Sequence, residues 1–328
     1  MKLRSFLGPA LLVAASTSIA VGGVEVALRL LDKFPPPPAQ LESRRPDLYR
    51  TDPDVGYKMW PGVDTTYRYP PDAADLIPLK SNSQGFRQPR DFGEADERTR
   101  VLLLGDSFVF GEGVRAEVRV GEVLESLEPL WRVDNLGMPG WGLDLMVRAL
   151  EHYGPVIRPN VVVLCFYTDD FRRLHPYYAG AGFYYSKFEL VDGRLQLKPR
   201  TAPGFFESTR LWQAWMKRYW ASRANRYPLN EALLDRFLAQ SVELGFAPVT
   251  VFLPGRGDND QDKERRGFLR AWSEENSVPF LDLTEPIHSA GVENAYIQKN
   301  WHWNELGHRI AAEQIHALLT SGAVDFRH

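Results

Sequence analysis

The sequence predicts an α/β protein: a three-layer sandwich with helices on both faces of a five-stranded parallel sheet. Apolar runs of strand length recur at residues 101–104, 131–136, 161–166, 248–253 and 278–281, and patterns of helical period stand between several of them, at 143–153, 230–244, 263–276 and 304–319. Strands that alternate with helices pair in parallel, because a crossover helix returns the chain to the same end of the sheet. The third observation is where the first run stops. Residues 101–104 break off at Gly105-Asp106-Ser107, which sets a serine at the carboxyl edge of a buried strand, where α/β folds place their chemistry. Ser107 is therefore the candidate nucleophile.

Before that strand comes a different kind of chain. Lys2 and Arg4 precede residues 6–24, nineteen residues without a charge, and a helix of that length spans roughly 28 Å at about 1.5 Å per residue. Residues 1–33 read as a membrane anchor whose basic end stays in the cytoplasm while the rest is exported to an extracytoplasmic or periplasmic space. A cleaved signal peptide, with Ser18-Ile19-Ala20 as a small-x-small site, is the alternative. The prolines of residues 34–40 end any helix and read as an extended spacer. Residues 41–100, polar and rich in Pro, Asp and Arg with isolated aromatics such as Tyr57, Trp60, Tyr67 and Tyr69, read as an irregular wrap.

Residues 101–322 form the expected catalytic domain. Residues 108–114 read as a Gly-punctuated turn and 115–130 as helical. Residues 171–227 are too long for an ordinary connection and read as an insertion. Within it, 188–198 alternate about Asp192-Gly193, a hairpin signal. Leu211, Trp212, Trp215, Tyr219 and Trp220 then fall at spacings that suit one helix face. Those aromatics suit either a small satellite core or a lid that stacks on sugar rings.

Composition narrows the function. With 42 acidic and 39 basic side chains the net charge is -3, which argues against a nucleic-acid partner. Cys165 is the only cysteine, so no internal disulfide forms; in its apolar run it reads as a small buried hydrophobe. No cofactor or metal is expected, and the oligomeric state is left open.

Four segments together resemble the SGNH (GDSL-type) hydrolase superfamily, with its flavodoxin-like sheet: Gly105-Asp106-Ser107 with the following Phe108 to Gly113; Asn135 to Gly140; Phe166 to Asp170; and His302 to His308. The anchor, the proline spacer and Asn82-Ser83-Gln84-Gly85-Phe86-Arg87 are similar to exported, anchored members near bacterial exopolysaccharide functions, including relatives of alginate O-acetyltransferase. The resemblance implies that Ser107 attacks an ester carbonyl with His302 as its base, and that the backbone amides of Ser107 and Gly140 hold the oxyanion. Asp106 is expected to brace the turn.

Two positions depart from the family pattern. The acid expected two or three residues before the histidine is replaced by Asn300 and Lys299. A neutral amide can orient an imidazole but lends it no charge, and the outcome depends on which way the amide faces. Asp282, at the end of the fifth strand, could substitute from elsewhere, though a turn or capping role suits it better. Asp169 occupies the place of an asparagine oxyanion donor, where an ionised carboxylate would oppose the oxyanion by about 4 kcal/mol; activity requires it to be protonated, turned away or paired with a cation. Asn304 reads as a helix cap and His308 as a helix-surface residue. The expected function is a membrane-anchored serine esterase or O-acyltransferase acting on acyl groups of a glycan. The alternative is a catalytically inactive protein of the same fold that binds glycan or serves envelope assembly.

Overall fold

The computed structural model describes residues 4–36, 45–178, 180–200 and 203–326. Lys2, the spacer from Pro37 to Gln40 and positions 41–44 of the expected wrap lie outside the described residues. The chain forms two compact units, one of residues 1–41 and 201–226, the other of 42–200 and 227–328. The first contains α1 (Arg4–Leu30). Its stretch Gly8–Leu30 is long and apolar enough to cross a membrane, with none of that stretch buried inside the protein.

The larger unit begins with two small antiparallel ladders where the sequence suggests only irregular chain. β1 (Tyr49–Asp52) pairs with β2 (Gly56–Met59), and β3 (Asp64–Tyr67) with β4 (Ile77–Lys80). The central elements follow: β5 (Thr99–Gly105), α2 (Ser107–Phe110), α3 (Val120–Leu127), β6 (Trp131–Gly137), α4 (Leu143–Ile157), β7 (Val161–Tyr167) and α5 (Asp170–Arg173). After them come β8 (Lys187–Val191) and β9 (Arg194–Lys198), then α6 (Arg210–Ala221) of the smaller unit and α7 (Arg223–Leu244). β10 (Ala247–Leu253), α8 (Asp260–Glu275), β11 (Phe280–Asp282), α9 (Thr284–Ser289), α10 (Val292–Ala295) and α11 (Glu305–Thr320) complete the chain.

The five expected strands form one parallel sheet in the order β11-β10-β7-β5-β6. Val101, Leu103, Val163, Cys165, Val249 and Val251 point to one face and share a core with Val120 and Leu124 of α3 and Ala312, Ile315 and Leu319 of α11. Side chains alternate along a strand, so Leu102, Leu104, Val162 and Leu164, all fully buried, point to the other face, where α4 packs on β5 and β6. Burial on both faces explains why these strands are apolar throughout rather than alternating. Each fully buried Val or Leu contributes about 1.5–3 kcal/mol.

Three local expectations change. The stretch after Ser107 is not all turn: it opens with the single helical turn α2. The expected helix over 115–130 resolves into a 3₁₀ turn, Ala116–Val118, and α3. The insertion 171–227 divides, with its hairpin in the larger unit and α6 in the smaller. That hairpin turns at Asp192 and Gly193, whose φ values of 50° and 73° give the two left-handed residues that suit twisted strands.

Candidate active site

Ser107 owes its position to the abrupt end of β5. Asp106 caps α2, its Oδ1 accepting from the Phe108 N–H at 2.9 Å. As the first helical residue, Ser107 has a backbone N–H with no partner inside the helix. The turn closes on Gly111, whose φ of 77° and close approach to the Arg119 side chain leave no room for a Cβ. Arg87 then fastens this turn. Its Nη1 donates to the Gly111 carbonyl at 2.6 Å and to that of Phe110 at 3.2 Å, and its Nη2 to that of Val114 at 2.8 Å. Arg119 Nη1 in turn donates to the Arg87 carbonyl at 2.6 Å. Arg87, at the end of a segment which as sequence reads as a loop, thus braces the turn that follows Ser107.

His302 arrives from a tight turn before α11, closed by the Ile297 N–H on the His302 carbonyl at 2.9 Å. Its Nε2 lies 2.8 Å from Ser107 Oγ. The orientation of Asn300 favours one tautomer, in which the nearby Tyr69 hydroxyl acts as a second acceptor. Asn300 Oδ1 accepts from the His302 backbone N–H at 3.0 Å, so the amide oxygen is the atom facing the ring; the same oxygen lies 3.0 Å from Nδ1. A lone pair at Nδ1 would face that oxygen, so Nδ1 carries the proton and Nε2 presents its lone pair to the serine hydroxyl. Tyr69 supplies a contact absent from the sequence expectation: its hydroxyl lies 2.7 Å from the same Nδ1. The imidazole lies between the rings of Tyr69 and Phe108, at 5.3 and 5.1 Å between centroids. Burial lowers its pKa to about 4, with Asp106 opposing that shift and Arg173 adding to it.

One guanidinium joins the loops at the ends of β5, β6 and β7. Arg173 Nη1 donates to Asp106 Oδ2 at 2.7 Å, to the Trp141 carbonyl at 2.8 Å and to Asp170 Oδ1 at 2.6 Å. Both carboxylates are fully buried and need this cation. Asp106 thereby does more than brace: it links the serine turn to the loop carrying Gly140, and its Oδ2 lies 3.4 Å from Ser107 Oγ. Gly140 has a φ of 81°, and a Cβ there would press to 3.0 Å on the Tyr57 hydroxyl. Among the described residues, neither the Ser107 nor the Gly140 N–H donates to a protein acceptor.

Other positions fall outside this arrangement. Asp169 pairs with Arg172 through both carboxylate oxygens, and its Oδ1 lies 3.7 Å from Arg265 Nη1. It makes no hydrogen bond to Ser107 or His302, so the expected oxyanion position is filled by a carboxylate already engaged with cations. Asp282 accepts from the Thr284 N–H at 2.9 Å and pairs with Arg266 and Arg270, which is a turn role. Asn304 caps α11 through Leu306 and Gly307. His308 is not on the surface as expected. It is 1 % exposed, packs on Trp303, and is held neutral by burial that lowers its pKa to about 3. Cys165 is buried, and its thiol pKa is pushed up by the same cause. Among the described residues, no cluster of three His, Cys, Asp or Glu side chains could hold a metal.

No family model and no curated protein matches the chain. Among solved structures it is similar to a lipase/acylhydrolase from Enterococcus faecalis, 13% identical, over 70% of this chain and 99% of that one, with a TM-score of 0.43. It is similar to an acetyl xylan esterase, AlAXEase, at 14% identity over 66% and 97% of the two chains, TM-score 0.44. A member of the lipolytic protein G-D-S-L family from Veillonella parvula DSM 2008 is 14% identical over 68% and 97%, TM-score 0.41.

The missed participants, Tyr69, Arg173 and Arg87, have a common cause. Tyr69 meets a residue 233 positions away, and Arg173 reaches Asp106 across 67. No local periodicity marks such contacts. Tyr69 was visible only as an isolated aromatic in polar chain.

Proposed function

We propose that the chain is a serine esterase or O-acyltransferase of SGNH type, anchored in a membrane by α1, with its larger unit on the periplasmic or extracytoplasmic side, acting on acyl groups of a glycan. The observation that carries the chemistry is the 2.8 Å contact of Ser107 Oγ with a His302 Nε2 whose lone pair is set by Asn300. Ser107 Oγ adds to the ester carbonyl as Nε2 takes its proton. The charge that develops on the carbonyl oxygen meets the N–H groups of Ser107 and Gly140. The imidazolium then protonates the departing alkoxide, leaving an acyl-serine. Water or a sugar hydroxyl attacks the acyl-serine, with His302 again taking the proton. Support for the glycan is the resemblance of the anchor, spacer and residues 82–87 to exported relatives of alginate O-acetyltransferase, and support for the anchoring is the length and apolar character of α1.

Full-length protein in nanodiscs, given p-nitrophenyl acetate and a fluorophosphonate probe, tests this. The probe is expected on Ser107, and Ser107→Ala should lower turnover by at least about 10³-fold. Turnover that survives the substitution overturns the proposal. The second reading, an inactive protein of the same fold that binds glycan or serves envelope assembly, draws on the absence of a carboxylate at residue 300 and of a donor at 169. It predicts glycan binding with no acyl-serine ever trapped.

A further inference from the structure

The smaller unit contains a surface that the chemistry above leaves unused. Phe205 and Phe206 are adjacent, 84 % and 76 % exposed, with ring centroids 5.4 Å apart. Trp215 and Tyr219, one helical turn apart on α6, are stacked at 5.2 Å and are 52 % and 40 % exposed. Arg218 lines the same groove as these two rings. Two pairs of exposed rings in so small a unit point to a partner or a membrane.

The attachment of α6 to α1 decides which. Residues 8–24 carry no charge, and as a helix they rise roughly 26 Å at about 1.5 Å per residue, close to the hydrocarbon thickness of a bilayer. Glu25, the first charge after them, therefore stands where hydrocarbon gives way to headgroups. Its two carboxylate oxygens accept from the backbone N–H groups of Arg210 and Leu211, each at 3.0 Å, so the anchor adds to the cap that Thr209 gives α6. The Arg210 guanidinium then holds Asp32 and the Lys33 carbonyl, and Lys217 lies 5.6 Å over the Phe34 ring. The start of α6 is thus pinned at the depth of the headgroups. Tryptophan, tyrosine and arginine suit that depth, with apolar bodies toward the acyl chains and polar ends toward phosphate and water. A sugar platform would use Trp215 and Tyr219. It would give no role to two phenylalanines without a hydrogen-bonding group, nor a reason for the anchor to add to the helix cap.

We infer that the Phe205 and Phe206 turn and the Trp215, Arg218 and Tyr219 face of α6 dock on a phospholipid surface, seated in the headgroup region of the bilayer that α1 enters. The inference rests on α1 crossing a membrane. Full-length protein in a Cys165→Ala background, reconstituted in phosphatidylcholine nanodiscs with a minority of phosphatidylglycerol, is spin-labelled singly at Phe206→Cys, Tyr219→Cys, Val13→Cys and Lys80→Cys. Relative accessibility to oxygen and to an aqueous nickel chelate is then read at each site. The oxygen-to-nickel ratio is expected to be several-fold higher at 206 and 219 than at 80, and highest at 13. Lipid-like behaviour at 13 with water-like behaviour at 206 and 219 overturns the inference and leaves the anchor standing; water-like behaviour at 13 overturns both. Water exposure at 219 that is lost only on adding a soluble acetylated oligosaccharide would instead assign the rings to a sugar platform. The readout involves no turnover, so it stands or falls apart from the esterase reading.

Discussion

Ser107 and His302 meet at 2.8 Å, yet the two halves of the site are held by different chemistry. The serine half is held by ions: Arg173 between two buried carboxylates, with Arg87 on the Gly111 carbonyl and Arg119 on that of Phe110. The histidine half is held by neutral dipoles, Asn300 and Tyr69, with no carboxylate on Nδ1. Formal charge therefore fixes the geometry of Ser107, while an imidazolium at His302 would meet a carbonyl and a phenol at Nδ1, with Asp106 as the charge that favours it from beyond the serine. Orientation of the base is complete; its electrostatic support is partial.

The largest effect is expected from breaking the ionic half. Arg173→Met leaves Asp106 and Asp170 buried without a cation, and removing one partner of such a cluster costs about 3–5 kcal/mol. Urea unfolding should show this as a lower midpoint at unchanged slope. A midpoint within error of the native one would mean that the guanidinium is dispensable and that the contrast between the halves is false.

The neutral half can be sharpened by supplying what it lacks. Asn300→Asp keeps the acceptor for the His302 backbone N–H and adds a charge beside Nδ1, so turnover should rise about tenfold or more. The pH profile carries a second signature. In the proposed mechanism the base is neutral imidazole, and protonation below its pKa removes it. With that pKa lowered to about 4 by burial, native kcat/KM should hold through pH 5 and fall near pH 4. A carboxylate at 300 favours the imidazolium, so the fall should move to higher pH in the variant.

Tyr69→Phe tests the other dipole. It keeps the ring against His302 and deletes the oxygen at 2.7 Å. A hydrogen bond to a charged group contributes about 1.5–3 kcal/mol, so kcat should fall roughly 10- to 100-fold, with KM little changed because the imidazolium exists only during reaction. Equal loss in both parameters would indicate a packing role.

How far this contrast could be read from the sequence follows the range of the contacts. β5, β7 and β10 are expected to within two residues at either end, because apolar run length and the Gly-Asp-Ser stop are local signals. Ser107 and His302 stand out by residue type and motif. His308 was legible and misread: it lies on the stripe His308, Ala311, Ala312, Ile315 and Leu319, all buried, whose helical spacing is the usual sign of a core face. The ladders at 49–80 were not legible, since four-residue strands such as Asp64–Tyr67, exposed at three of four positions, carry no apolar pattern. Nor was the facing of Asn300, which is fixed by one backbone N–H two residues on.

Asp169 is where sequence and structure lead to different expectations, and where the smallest effect is expected. Were its carboxylate aimed at the oxyanion, Asp169→Asn would relieve a repulsion of about 4 kcal/mol and raise the rate strongly, most at high pH. With that carboxylate held by Arg172 and near Arg265, its charge is already compensated outside the reacting atoms. The substitution should change kcat by less than about twofold at any pH, in keeping with the modest worth of a partly exposed ion pair. A large, pH-dependent gain in steady-state turnover would instead place residue 169 in the oxyanion site and add a further negative charge to a half of the site where one guanidinium already serves two carboxylates.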